Sequence, residues 1–266
     1  MERKLGINSD CLKGVPSVEA LALIKETGFD SHFTGEYRPA QVEAIKKESD
    51  RLGLIYEFIH APFKGINDMW MPGVSYWEIF NKMKLSIDAA AANDIPVVVA
   101  HVSSGWKCPE ITDLGLARFD ALVEYAEKKG VKIAFENLRR TGNLAYLVDR
   151  YEDLDCVGFC YDFGHGHCYT KTVCWPDIFC HKLLVTHIHD NNGRGWEKEP
   201  VTPDLHLLPF DGNINYEPIM RKLDEYEFDG ILTLEVGNTR RPEYAALSHQ
   251  AFLSTCYERL LKISKM

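Results

Sequence analysis

Short, branched apolar runs punctuate the chain from end to end. They fall at Leu5-Gly6-Ile7, Ile55 to Ile59, Val97 to Ala100, Ile133 to Phe135, Val157 to Tyr161, Leu183 to Ile188 and Ile231 to Val236, and a weaker run near Phe29 to Phe33 makes eight. Most are continuously apolar, the pattern of parallel strands covered on both faces. Between them the chain repeats with helical period: Val18 with Leu21 and Ala22, Val42 with Ile45, and Leu122 with Val123 and Ala126. The stretches Trp77 to Ala92 and Tyr244 to Ile263 read as helices on the same ground. Gly53 and Gly130 each stand between a helical run and the next strand, where a left-handed cap is wanted, and Ser17 and Pro39 stand at helix starts.

Eight strand–helix units in 266 residues predict an α/β fold, a (β/α)8 TIM barrel, as one domain over residues 1–266. No Pro/Gly/Ser-rich linker or low-complexity tract divides the chain. An open doubly wound sheet would want a glycine-rich turn after the first strand, where this chain has Asn8-Ser9-Asp10-Cys11.

Composition narrows the class. At 45% hydrophobic and 26% charged residues the chain is that of a globular protein, not a disordered or fibrous one. Thirty basic against 39 acidic side chains leave a formal charge of −9, which argues against a phosphate-backbone partner. No apolar run approaches the roughly 18 residues of a membrane span. The eight cysteines contain no Cys-x-x-Cys pair, so reduced thiols and a cytoplasmic location are expected. A thiolate metal site between Cys156 and Cys180 is a weaker candidate than the groups that follow.

In a barrel of this kind the chemistry collects at the C-terminal ends of the strands. The third run ends on His60 and the fourth on His101; the fifth ends on Glu136-Asn137 and the sixth on Asp162-Phe163-Gly164-His165. The seventh ends on His187-Ile188-His189-Asp190 and the eighth on Glu235, with Asp204-Leu205-His206 in the loop between them. Singly, each has an ordinary explanation: a hydrogen-bonded core histidine, a helix cap at Asp162, an ion pair of Glu136 with Arg139 or Arg140. Six successive strand ends carrying such residues are better explained by a shared cation, since a carboxylate buried without a partner is costly. His32, His181 and His249 read as structural or surface groups.

The segments Ile133-Ala134-Phe135-Glu136-Asn137, Tyr161-Asp162-Phe163-Gly164-His165, His187-Ile188-His189-Asp190-Asn191, Asp204-Leu205-His206-Leu207-Leu208-Pro209 and Leu232-Thr233-Leu234-Glu235 together resemble the xylose isomerase-like TIM-barrel superfamily. That superfamily holds sugar isomerases and epimerases and also endonuclease IV. The resemblance implies a divalent ion held by Glu136, Asp162, His187 and Glu235. His187 is preferred to His189 because the family's ligand histidine precedes an acid by three positions, here Asp190; His189 then stands on the substrate side. By similarity to endonuclease IV, His60 and His101 would join Glu136 on a second ion, and His165, Asp204 and His206 would hold a third.

One ion is expected and up to three are possible, with Mn²⁺, Zn²⁺, Co²⁺ or Mg²⁺ suited to the donor set. The implied reaction is isomerisation or epimerisation of a sugar, sugar phosphate or sugar derivative. It proceeds by proton transfer through an enediolate, with Glu136 and Glu235 as acid and base. The alternative is a three-zinc phosphodiesterase acting on abasic DNA. The partner is then a small sugar, with no membrane and no nucleic acid, and a homo-oligomer is compatible. Trp70, Trp106 and Trp196 follow strands and offer indoles for stacking on a sugar. Arg194, Arg240 and Arg241 lie on the same face, where one of them would bind a substrate anion. Arg194 and Trp106 are, with His189, the named substrate-side candidates.

Overall fold

In the computed structural model, which describes residues 3–194 and 203–266, all eight apolar runs are strands. They are β1 (Leu5–Asn8), β2 (Ser31–Thr34), β3 (Ile55–His60), β4 (Val97–Ala100), β5 (Lys132–Glu136), β6 (Val157–Asp162), β7 (Leu183–His187) and β8 (Leu232–Leu234). The helices α1 (Ser17–Thr27), α2 (Pro39–Leu52), α3 (Tyr76–Ala92), α4 (Asp113–Lys129) and α5 (Thr141–Arg150) alternate with the strands up to β6. Helices α6 (Phe163–Tyr169) and α7 (Trp175–Phe179) follow β6, α8 (Tyr216–Glu225) precedes β8, and α9 (Pro242–Ala245) and α10 (His249–Ile263) end the chain. The tail expected as one helix is two, because the Ser248 side chain accepts from the Ala251 N–H and starts α10 afresh. Gly53 and Gly130 do adopt left-handed caps, at φ of 66° and 70°.

Strands β1 to β7 pair in parallel in chain order, and β8 pairs with β1. The remaining gap, between β7 and β8, is closed at Ile188 and Leu234. There the Ile188 N–H donates to Thr233 O at 2.8 Å and the Glu235 N–H to Ile188 O at 3.0 Å. Below that point a side chain substitutes for the ladder: the Thr186 hydroxyl donates to Ile231 O and accepts from the Thr233 N–H, both at 3.1 Å. The closed sheet is a (β/α)8 TIM barrel. Among the described residues no helix is long and apolar enough to cross a membrane.

Two cores result. The larger lies between strands and helices and includes Trp70, which is fully buried and donates its indole N–H to Val102 O. Trp70 therefore packs the barrel wall and is not available to a sugar. Gly115 makes room for it, since a Cβ there would fall 2.0 Å from the indole. The smaller core fills the barrel: Phe33, Phe58, Val97, Val99, Ala134, Cys160 and Val185.

Under that plug lies a carboxyl group. A register shift pairs His32 with Tyr56 but Phe33 with Phe58, leaving Glu57 as the extra residue. Its Oε2 accepts from Thr233 Oγ1 at 2.6 Å and Ser31 Oγ at 3.3 Å. Gly6 sits between those hydroxyls, where a Cβ would come within 2.3 Å of Ser31 Oγ. Burial pushes the Glu57 carboxyl up to about 8, against the pull of the two hydroxyls and His187. A raised carboxyl value means that the folded state holds this proton where the unfolded chain releases it. Its contribution is intact at low pH and is lost as pH rises toward and through 8. Glu57→Gln, which keeps the neutral shape, should flatten that decline: thermal midpoints at pH 6 and pH 9 should differ less in the variant than in the parent.

Candidate metal centre and active site

The strand ends bring their polar residues to one place. Glu136, at the end of β5, is 1% exposed and is the hub. Its Oε2 lies 2.9 Å from His101 Nε2 and 3.3 Å from His60 Nε2; its Oε1 lies 3.0 Å from His165 Nδ1 and 3.3 Å from His187 Nδ1. Neither arginine beside it in sequence reaches it. Arg139 donates to the Tyr169 hydroxyl and Arg140 pairs with Glu110. Asp162 serves twice: its Oδ1 caps α6 by accepting from the His165 N–H at 2.6 Å, and its Oδ2 lies 3.8 Å from His187 Nδ1. Asn137 ties the two strand ends together, donating to Asp162 O and accepting from the Asp162 N–H.

Three clusters follow, two of them sharing Glu136, each with its ligand atoms within 4.8 Å of one another. Glu136, Asp162, His187 and Glu235 form the central one; His60, His101 and Glu136 form a second; His165, His189, Asp204 and His206 form an outer one. A further combination, His60 with His187 and Glu235, crosses the first two. His187 and His189 therefore part company. His187 turns Nδ1 to the central acids, 3.7 Å from Glu235 Oε2, with its ring stacked on Phe33. His189 lies between Asp162 and Asp204, its Nε2 at 3.1 Å and 3.6 Å from their oxygens, and stacks on His206 at 3.9 Å. Gly164 is required beside it, since a Cβ there would stand 1.9 Å from His189 Cε1. Among the described residues no cysteine joins any such cluster.

The electrostatics are those of a cluster built around positive charge. Burial opposes ionisation of Glu136, but His101 and His187 outweigh it and hold the carboxyl well below its usual range. Burial likewise opposes Glu235, which His187 and His206 draw down to about 2. Against the same burial, Glu235 and Asp204 lift His206 to about 9, and Asp162 and Asp204 lift His165 well up. Protons on imidazoles thus supply the countercharge that buried carboxylates need. Asp204 Oδ1, 3.6 Å from His189 Nε2 and 3.4 Å from His206 Nε2, is nonetheless buried without a hydrogen-bond partner. An unspent donor atom within a set of carboxylate and imidazole fits a divalent ion.

A cavity of about 210 Å³ opens over this floor, lined by His60, His206 and Glu235 and by Asn8, Asp10 and Arg240. Phe63, stacked on His101 at 4.2 Å, forms part of its wall. Asn8, Asp10 and Phe63 were not among the expected site residues, although the first two follow β1 as directly as the ligands follow their strands. Of the substrate-side candidates, Arg194 lies over the Trp106 ring at 4.1 Å, and Trp106 packs edge-on to Tyr169, itself stacked on His165. Trp196 lies outside the described residues. His32 bonds to Ser49 inside the wall, and His181 pairs with Glu152 on the surface.

The profile of the xylose isomerase-like TIM barrel family matches residues 19–256. The chain belongs to this family. A relative in sequence is an uncharacterised protein of Methanocaldococcus jannaschii, 28% identical, the match covering 90% of this chain and 86% of that one. Among solved structures, a D-tagatose 3-epimerase-like protein superposes with a TM-score of 0.73 at 23% identity, covering 98% of each chain. The IolI protein with a bound zinc atom superposes at 0.75 and 19% identity, again over 98% of each.

Two outcomes are expected. Loading a divalent ion should release protons, since imidazoles such as His206 must lose theirs to bind, and affinity should rise as pH climbs toward 9. Titration calorimetry in buffers of differing ionisation heat measures both. Gly164→Ala should displace His189 and lower the metal content at saturation; elemental analysis of the purified variant checks this.

Proposed function

We propose that the protein is a metal-dependent epimerase or isomerase of a sugar or sugar derivative, with its central ion held by Glu136, Asp162, His187 and Glu235. The observation that carries this reading is that Glu235 belongs both to the four-residue cluster and to the wall of the cavity. A substrate in the cavity would therefore meet the ion and a carboxylate together. Sugar epimerases recur among the solved structures of similar fold. The comparisons do not favour the alternative, a phosphodiesterase acting on abasic DNA.

When bound, such an ion would polarise a ketose carbonyl and stabilise the charge left when the neighbouring carbon loses a proton. The protein's own groups would move that proton. Glu235 is held ionised by His187 and His206 and lines the cavity, so it is the carboxylate that would accept. Glu136 stands three strands away around the barrel, with both oxygens taken by four imidazoles. We therefore assign Glu235 the first proton, and the return on the other side to Glu136, which would take the proton it delivers from a protonated imidazole on its own oxygens, such as His165. His60 and His101 orient Glu136, and the Phe63 ring over His101 shields that end from water.

The test is solvent deuterium exchange. Purified protein loaded with Mn²⁺ or Co²⁺ should incorporate deuterium beside the carbonyl of a ketose. Glu235→Gln should reduce that exchange by roughly 10²-fold or more, with metal content measured alongside. Fully loaded protein that exchanges no member of a broad ketose panel refutes the reading.

A further inference from the structure

The charged groups on the cavity wall bear on which ketose enters. The cavity of about 210 Å³ is of a size for a short sugar chain. Three arginines stand at this face, and two are committed elsewhere. Arg241 donates to Asp211 O at 3.0 Å and lies 4.0 Å from the Asp211 carboxylate. Arg194 is laid over Trp106. Only Arg240 of the three lines the cavity, and among the described residues its guanidinium makes neither an ion pair nor a hydrogen bond.

Arg240 is exposed at the rim, and the backbone that carries it is fixed. Its N–H donates to Gly237 O at 3.2 Å, and its side chain runs over Gly237, where a Cβ would lie 3.8 Å from Arg240 Cγ and Nε. The loop carrying it is pinned to the loop after β1. The Val236 N–H donates to Asn8 Oδ1, the Asn238 N–H to Cys11 O, and the Lys13 N–H to Asn238 Oδ1, at 3.0, 2.9 and 3.0 Å. The nearby Asp10 carboxylate accepts from Asn8 Nδ2 at 2.6 Å and makes no ion pair with Arg240. A guanidinium with five unspent donors on the wall of a substrate-sized cavity is matched by a planar or tetrahedral oxyanion, which its fork can bind in spite of the chain's net negative charge.

We propose that Arg240 binds a carboxylate or phosphate at the end of the substrate remote from the exchanging carbons, so that the enzyme acts on acidic ketoses in preference to neutral ones. This rests on the epimerase or isomerase reading and adds the substrate class to it.

The experiment compares D-fructose, D-fructuronate and D-fructose 6-phosphate, and the matching neutral, carboxylate and phosphate ketopentoses, as substrates for deuterium exchange. Metal-loaded wild type and Arg240→Gln are run in parallel. Exchange should favour one or both anionic forms, and whichever arm is preferred identifies the oxyanion. Arg240→Gln should raise KM for that form roughly ten- to hundredfold, the worth of a charge-assisted hydrogen bond, with kcat and the neutral ketose little changed. Equal or better exchange of the neutral sugars, or a variant that weakens both classes alike, overturns the role of Arg240 while leaving the epimerase reading standing. No exchange in any arm overturns both.

Discussion

Everything at the mouth of this barrel follows from the cost of burying Glu136. A carboxylate at 1% exposure needs countercharge on every side, and the fold provides it by ending the neighbouring strands on imidazoles. His60, His101, His165 and His187 come from four separate elements and meet on its two oxygens. Those imidazoles in turn need acids, which Asp162, Asp204 and Glu235 supply. The network is closed on itself, so each member's position is set by several partners. That redundancy is why Asn137 and Gly164, which bear no charge, matter to it: one couples adjacent strand ends, the other leaves room for His189.

Much of this was legible in the residues. Seven strands were marked by clear apolar runs, because a parallel strand under a helix is covered on both faces; β2, Ser31–Thr34, was the weak one because its polar side chains are satisfied inside the barrel. The ligand-bearing ends stood out because they break those runs at the same point in each unit. What was not legible was partnership. His187 and His189 lie two residues apart and face the same way, and only the path of the loop carrying Asp204 and His206 sends them to different clusters. Trp70 looked like a loop indole because nothing local reveals that Gly115, far along the chain, leaves a slot for it. Glu57 lay hidden in a strand that reads as continuous, since a one-residue bulge has no sequence period. The break before α10 turns on a single hydroxyl, that of Ser248.

The cavity lining carries charged groups of two kinds. His206 and Glu235, 3.6 Å apart, offset each other's charge, whereas Arg240 has no ion pair among the described residues. The loops after β1 and β8 are bonded together, which fixes the backbone that carries Arg240 against the first strand.

The joint between β7 and β8 has a consequence of its own. It is the thinnest seam in the cylinder, with one bridge and a threonine hydroxyl where the other strand pairs have a ladder. His187 and Glu235 stand on either side of it. An ion shared by those two side chains would rivet the staves together, making the cation a mechanical part of the wall as well as a reagent. Losing the cation would then loosen the barrel at its reactive rim first.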